Sequence, residues 1–198
     1  WVKHCDDHDR STCQPVPIAS LQDLKVIDCS SHIVVSAPAK CEFAALSYVW
    51  GDIPFISGGK KPDLLDLPRT IEDAITMTNA LGYQYLSVDR YSVDQGDPED
   101  VHRQVSQMGF IYAAVKVTLI ASSGVNPTHG LPGLRPGIRQ PYSFRYERVG
   151  RNHLVALPGH STMDIRRSAW WRRAWTFQEC YMSKRRVFFT DRQALFVC

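Results

Sequence analysis

The sequence has no apolar run close to the roughly 20 residues that a membrane-spanning helix needs. Its first residues lack the basic start and apolar centre of a secretory signal peptide. The formal net charge of the 198 residues is only +3, which is too small to indicate nucleic-acid binding by itself. We therefore expect a cytoplasmic protein that associates with neither a membrane nor nucleic acid.

Motifs of several enzyme classes are missing too. The histidines have no Gly-x-Ser-x-Gly elbow beside them, which argues against a hydrolase with a catalytic triad. Gly58-Gly59-Lys60-Lys61 does not have the spacing of a phosphate-binding P-loop. The acidic stretch around Asp94 and Asp97 has too few suitably spaced carboxylates for a metal loop, and helix capping explains Asp97.

The six cysteines do not follow the spacing of a disulfide scaffold, and a chain of this length needs none. Four of them lie in or beside apolar stretches, where a thiol behaves as a small apolar group. The amino-terminal His4, Cys5, His8 and Cys13 carry atoms that zinc accepts, but their spacing matches no established zinc motif. We expect reduced thiols and no metal site.

The apolar pattern predicts an α/β fold. Residues 25–29 and 33–36 flank a polar turn and predict an amino-terminal hairpin. Apolar runs at 43–50, 85–89 and 116–122 predict strands, the first of them covered on both faces. Helical patterns separate these three strands, which indicates right-handed crossovers and a parallel sheet with helices on both faces.

Capping signals mark the two helices between these strands. The first is predicted over residues 71–81, with Thr70 as cap, Asp73 at the capping-box position and Gly82 at the end. The second opens at Asp97-Pro98, where a cap and a proline suit a helix start. Its apolar stripe is predicted to be buried and comprises Val101, Val105, Met108, Tyr112 and Val115.

The regular pattern breaks down after the third strand. Glycine and proline are dense from residue 124 onwards, and a hairpin is predicted to turn at Gly150-Arg151. A helix follows over 168–182, and then a terminal hairpin over 185–190 and 193–198. We divide this single domain into an arm with a hairpin (1–42), a core (43–123), a long irregular insertion (124–167), and a helix with a carboxy-terminal hairpin (168–198).

Four segments, in this order, resemble the heterokaryon incompatibility (HET) domain of fungi. They are residues 45–52, 67–71, 88–95 and 173–179, and residues 130–133 and the arm with Trp1, Cys5, His8 and Cys13 are also similar to the family. Departures are small: the family usually has Trp at Ser87 and Cys at Ser92. HET domains are associated with non-self recognition and the programmed cell death that follows.

HET domains have also been regarded as distant relatives of TIR domains, whose sheet is parallel and flavodoxin-like. The resemblance therefore implies a TIR-like sheet here. In NAD-cleaving TIR enzymes the catalytic glutamate follows a tryptophan by four residues on a helix. Trp175 and Glu179 reproduce this spacing and share one helical face. By this resemblance, Glu179 is the catalytic residue of a candidate NAD glycohydrolase.

Ligands of open α/β sheets bind at the carboxyl ends of the strands, where residues of the HET motifs should lie. NAD would be a substrate there, with no cofactor required. The nicotinamide ring is cationic while it is bonded to the ribose and neutral once it has left. The leaving group therefore needs no general acid, and one carboxylate could suffice. The candidate binding residues are Ser47, Tyr48, Trp50, Asp52, Asp89, Arg90 and Trp175.

Ordinary structural roles remain open for each of these residues. Glu179 could pair with Arg173, Arg185 or Arg186, the tryptophans could be core residues, and Asp89 could cap a loop. The basic residues of 166–186 could hold a pyrophosphate or form a solvated face. A non-enzymatic module that signals by self-association is the alternative function. Because the sequence starts at Trp1 and stops in an apolar segment, we expect other domains of a longer protein as partners.

Overall fold

The computed structural model describes residues 1–8, 12–52, 64, 66–137, 139, 145–156 and 161–198. Residues 53–66, which include Gly58-Gly59-Lys60-Lys61, lie almost wholly outside the described residues. In chain order the elements are α1 (Val2–His8), β1 (Lys25–Asp28), β2 (Ile33–Ser36), β3 (Phe43–Ser47), α2 (Arg69–Ala80), β4 (Tyr85–Ser87), α3 (Asp89–Ser92), α4 (Pro98–Ala114), β5 (Val117–Ala121), β6 (Arg145–Val149), β7 (Asn152–Ala156), α5 (Ser161–Arg167), α6 (Trp175–Met182), β8 (Arg186–Phe189) and β9 (Ala194–Val197).

Seven strands form one sheet in the order β2-β1-β4-β3-β5-β8-β9. The four central strands β4, β3, β5 and β8 run parallel to one another. Antiparallel partners close the two sides, since β1 pairs with β2 and β4, and β9 pairs with β8. The predicted mostly parallel α/β sheet and the predicted amino- and carboxy-terminal hairpins are therefore confirmed.

Helices cover both faces of the sheet, as the apolar strands require. Every residue of β3 is buried. Ala44 and Leu46 belong to one core cluster, together with Ile71 and Ile75 of α2. On the other face, alternate residues of β3 belong to a second cluster with Ile111 and Tyr112 of α4. This alternation places Ser47, the last residue of β3, on the face covered by α4.

The structure corrects two predictions about the carboxy-terminal third. The helix predicted over 168–182 is broken: a 3-10 turn at Trp170–Arg172 is followed by α6. The insertion, expected to be irregular, contains the helix α5 besides the predicted hairpin at Gly150. Trp175 and Glu179 still lie on one helix, because the break precedes both. Among the described helices, none is long and apolar enough to cross a membrane.

The capping box predicted for α2 is wrong. Pro68 is the residue at the helix start, and Thr70 and Asp73 lie inside the helix. Their side chains hold a neighbouring segment instead, because the Thr70 hydroxyl accepts from the amide of Gly130 and the Asp73 carboxylate accepts from that of Leu131. Tertiary partners thus replace the local cap. The cap predicted for α4 is confirmed, since Asp97 accepts a hydrogen bond from the Glu99 amide at 2.9 Å.

Candidate functional site

The carboxyl ends of β3 and β4 meet the amino-terminal part of α6 at one edge of the sheet. Ser47 is the last residue of β3, and Asp89 comes two residues after the end of β4. The parallel register pairs Ala45 with Ser87, so Ser47 and Asp89 each lie two residues beyond this pair. This is the edge at which open α/β sheets bind ligands.

A buried hydrogen-bond chain positions Glu179. The indole Nε1 of Trp170 donates to Ser47 Oγ at 2.6 Å, and the Ser47 hydroxyl in turn donates to Glu179 Oε2. Trp170 is fully buried and Ser47 and Glu179 nearly so. One oxygen of the carboxylate is therefore held by a fixed donor, which sets the direction of the other.

Arg173 forms an ion pair with Glu179 but donates no hydrogen bond to it. Its NH1 group donates to the backbone oxygen of Tyr48, and its NH2 group lies 3.8 Å from Glu179 Oε1. That distance is beyond hydrogen-bond length. Arg185 and Arg186 have other partners, Asp6 and the Cys180 carbonyl among them. Of the three arginines considered as partners of Glu179, only Arg173 is near it in the described part of the chain.

The second carboxylate of the site is Asp89. Its two oxygens accept from Trp50 Nε1 at 3.1 and 3.2 Å, and the Arg90 amide donates to Oδ1 at 2.7 Å. The guanidinium carbon of Arg90 lies 5.9 Å from the centre of the Trp50 ring, within the range of a cation–π contact. These contacts fix the plane of the Trp50 ring.

A pocket of about 410 Å³ opens between these groups. Four of the predicted site residues line it, namely Trp50, Asp89, Trp175 and Glu179. Val49, Gly51 and Arg173 also line it. The rest of the described wall comes from α4 and the segment before it, namely Val93, Gln95, Val101, Val105 and Met108. The volume lies within the range of ordinary small-molecule sites, roughly 300–1,000 Å³.

Both carboxylates of the pocket have raised pKa values. Burial, followed by the nearby charge of Glu179, raises the pKa of Asp89 to about 7. Burial also raises the pKa of Glu179, while Arg173 and the hydrogen bond from Ser47 act in the opposite direction. Two coupled carboxyl groups with shifted pKa values in one cleft are typical of functional sites.

The other predicted binding residues lie elsewhere. The Tyr48 side chain is buried in the core on the α2 side of the sheet, and only its backbone oxygen approaches the site. Asp52 is exposed, and neither it nor Arg90 is among the described residues of the pocket wall. Ser47 does not line the pocket but bonds to Glu179, which does.

The three neighbouring tryptophans have different roles. Trp170 is a core residue, packed edge-on against Phe188 with ring centres 5.8 Å apart. Trp171 and Trp175 are about half exposed, and only Trp175 lines the pocket. The basic cluster is likewise dispersed, because Arg185 is fully buried and Arg173 faces the site while Arg166 and Arg167 are exposed.

Sequence reasoning missed the contribution of α4. Val101 and Val105 were assigned to a buried stripe, but both line the pocket, and Val105 is 37% exposed. The available signal was their position: the first two turns of a helix that follows a strand must lie near the carboxyl edge of the sheet. The stripe is buried only further along the helix, at Tyr112 and Val115.

A comparison with protein families gives a match that covers this site. The family described as heterokaryon incompatibility protein (HET) matches residues 43–179, from the first residue of β3 to Glu179. No curated protein and no solved structure matches the chain. The matched segment covers more than half of the chain and contains the β3 edge, the Asp89 turn and the helix of Trp175. The chain therefore belongs to the heterokaryon incompatibility (HET) family.

Proposed function

We propose that this HET domain acts in the cytoplasm as an effector of fungal non-self recognition and cell death, and that it cleaves NAD at the nicotinamide–ribose bond. Glu179 is the catalytic carboxylate of this reaction. The observation that carries the proposal is the position of Glu179 at a pocket walled by Trp50 and Trp175. Its Oε1 atom accepts no hydrogen bond from the described residues and remains available to a ribose hydroxyl.

The chemistry requires little besides a positioned negative charge. As the bond between the ribose carbon and nicotinamide breaks, its electron pair moves to the pyridinium nitrogen and positive charge develops on the sugar. The Glu179 carboxylate stabilises this charge, and burial strengthens the interaction. Water then adds to the sugar carbon and gives ADP-ribose. Asp89, with a pKa of about 7, accepts the proton that water releases.

The aromatic walls suit a nucleotide. Trp50 is held by Asp89, and the half-exposed Trp175 also lines the pocket, so a ligand can reach both rings. Stacking on either ring would bind nicotinamide or adenine. The relation to TIR domains is part of this proposal. It is supported by the order of the four parallel strands in the sheet. Numbered along the chain, they lie in the order 2-1-3-4, as in flavodoxin-like sheets.

Release of nicotinamide from NAD by the purified chain tests the proposal. Glu179→Gln keeps an acceptor oxygen for Ser47 but removes the charge, and we expect the rate to fall by about 100-fold or more. Glu147→Gln, at an exposed position of β6, is the matched control and should retain the wild-type rate. Equal rates in Glu179→Gln and the wild type would remove Glu179 from the mechanism.

A second candidate function is self-association without catalysis, with further copies of the chain or other domains of a longer protein as partners. It is favoured by the outer face of α6, where Phe177 and Tyr181 are 73% and 74% exposed and their rings stack with centres 5.5 Å apart. Exposed aromatic patches commonly mark interaction surfaces. Light scattering over a concentration series should show assembly of the wild type and not of Phe177→Ser. Assembly without nicotinamide release at any concentration would favour this function over the enzymatic one.

A further inference from the structure

Three cysteines that are far apart in the sequence meet at the amino-terminal arm. Cys5 lies on α1, Cys13 follows the arm's helix, and Cys198 is the residue after β9. Their sulfur atoms all lie within 4.8 Å of one another. Cys5 and Cys13 are buried, whereas Cys198 is exposed, so the group forms a shallow cluster with one side open to solvent.

We propose that Cys5, Cys13 and Cys198 bind a zinc ion that fastens the amino-terminal arm to the last strand of the sheet. This site is independent of the NAD chemistry proposed above. Three thiolates supply three positions of a tetrahedral site, and water or another donor on the open side supplies the fourth.

The distances suit such an ion. Zinc–sulfur bonds of about 2.3 Å at tetrahedral angles place the sulfur atoms about 3.8 Å apart. The separations of up to 4.8 Å between the three sulfurs need only small side-chain adjustments to reach this value. Sulfur ligands select soft metals such as zinc over magnesium or calcium.

A buried cation lies directly beside the cluster. Arg185 is fully buried, and its Nε group donates to Cys5 Sγ at 3.1 Å. Hydrogen bonds to a ligand atom orient it and tune the metal site. Three thiolates and one zinc ion leave one negative charge, which the guanidinium of Arg185 would face directly. Asp6, a second partner of Arg185, lies 2.7 Å from NH2.

The histidines of the arm do not join the cluster. His4 and His8 stack on each other with ring centres 4.0 Å apart, and His8 Nδ1 is 2.9 Å from the backbone oxygen of His4. The spacing of the arm alone predicts no metal site, because it matches no established zinc motif. The third sulfur comes from the opposite end of the sequence, which no local spacing could indicate.

Cobalt(II) is the probe for this site, because thiolate ligands give it a strong near-ultraviolet charge-transfer absorption. The reduced full chain should bind one cobalt ion with this absorption, and zinc should displace it. Cys198→Ser is the most informative variant, since Cys198 is exposed and its replacement should leave the fold intact. We expect its metal affinity to fall more than about tenfold, because even altering a hydrogen bond to a ligand costs that much. Cys41→Ser, outside the cluster, should bind as the wild type does.

Protection from alkylation gives a second measurement that needs no variant. Zinc should protect Cys198, the exposed ligand, from iodoacetamide, as mapped by mass spectrometry, and leave Cys41 unprotected. Zinc should also raise the thermal midpoint of the wild type but not of Cys198→Ser. The proposal is overturned if the reduced protein shows no thiolate–cobalt absorption, or if Cys198→Ser shows the same absorption and affinity as Cys41→Ser.

Discussion

Ser47 and Glu179 form a buried hydrogen bond although 132 residues separate them in the sequence. The serine ends β3 and the glutamate lies in α6, so the bond joins the sheet to the helix that covers its carboxyl edge. Trp170 completes the chain by donating to the same hydroxyl. The Ser47 hydroxyl thus accepts one bond and donates another, and it orients the carboxylate toward the pocket.

Replacing Ser47 with alanine should therefore change both stability and pH dependence. The buried indole Nε1 of Trp170 would lose its acceptor, at a cost of about 1–3 kcal/mol in the free energy of unfolding. The hydrogen bond from Ser47 lowers the pKa of Glu179, so its loss should raise that pKa. Any activity that needs ionised Glu179 should then be lost at a higher pH on the acid side.

Urea denaturation and the pH profile of nicotinamide release measure these two effects. Ser30→Ala, at an exposed turn position, serves as control and should change the free energy of unfolding by less than about 0.5 kcal/mol. If the acid side of the pH profile of nicotinamide release does not shift in Ser47→Ala, Glu179 is not positioned through this hydroxyl.

Asp89 should make the protein less stable as the pH rises. Its pKa is 3.8 in the unfolded reference and about 7 in the folded chain, so the folded state binds the proton more tightly. Its contribution to stability is complete below pH 4 and is lost as the pH rises through 7. At about 1.4 kcal/mol per pKa unit, the loss is at most about 4 kcal/mol, and solvent that reaches the pocket reduces it.

Asp89→Asn keeps an acceptor for Trp50 and removes this titration. Its stability should exceed that of the wild type at pH 8 and match it more closely at pH 5, as measured by thermal unfolding. Asp52→Asn, at an exposed carboxylate, should follow the wild-type profile. In Glu179→Gln the loss of stability should shift to lower pH, because the charge of Glu179 is the second cause of the raised Asp89 pKa. If the stabilities of the wild type and Asp89→Asn change with pH in parallel, the titration does not belong to Asp89.

Trp171 and Trp175 provide a matched pair for testing the pocket. They are 46% and 49% exposed, four residues apart, but only Trp175 lines the pocket. Trp175→Ala should raise the KM for NAD about tenfold or more by removing a stacking surface, because stacking of a base on an aromatic ring is worth about 1–3 kcal/mol. Trp171→Ala should leave KM unchanged. Equal effects of the two substitutions would indicate a general disturbance of the helix and not a ligand contact.

The sheet was predictable from the sequence because its strands carry strong local signals. Strands β3 and β5 are fully buried and therefore appear as continuous apolar runs. The edge hairpins carry turn residues between short β-forming segments. The pairing of Glu179 with Ser47, by contrast, depends on how α6 crosses the sheet edge, and no local pattern encodes that crossing.

The other differences between the sequence predictions and the structure concern side chains that can make more than one kind of contact. Thr70 and Asp73 have the spacing of a capping box, but the same side chains bond more favourably to the amides of Gly130 and Leu131. Tyr48 stands beside Ser47 in the motif, yet alternation along the strand sends its side chain to the opposite core. The family motif indicates which strand ends lie close to Glu179, while the directions of the side chains required the structure.

Asp73 and Glu72 of α2 both contact the segment after β5, and a comparison of the two shows which contacts hold this segment to the helix. Both carboxylates contact Arg135, with Asp73 Oδ1 2.6 Å from Nε and Glu72 Oε2 2.8 Å from NH2. The Asp73 side chain is 2% exposed and that of Glu72 is 48% exposed. Asp73 also accepts from the buried amide of Leu131 at 2.8 Å. The approach is close, because a Cβ on Gly130, where φ is +86°, would lie 2.7 Å from Asp73 Oδ2.

Asp73→Asn should therefore lower the free energy of unfolding by about 2 kcal/mol, since it weakens buried hydrogen bonds to a charged acceptor. Glu72→Gln removes only a solvent-exposed ion pair and should cost less than about 1 kcal/mol. Urea denaturation gives both values, and hydrogen exchange at the Leu131 amide should quicken in Asp73→Asn alone. If both variants lose the same stability, the ion pairs to Arg135 hold the segment, and the buried amide contacts do not. Slow exchange at Leu131 in Asp73→Asn would lead to the same conclusion, because that amide would then be protected without a charged acceptor.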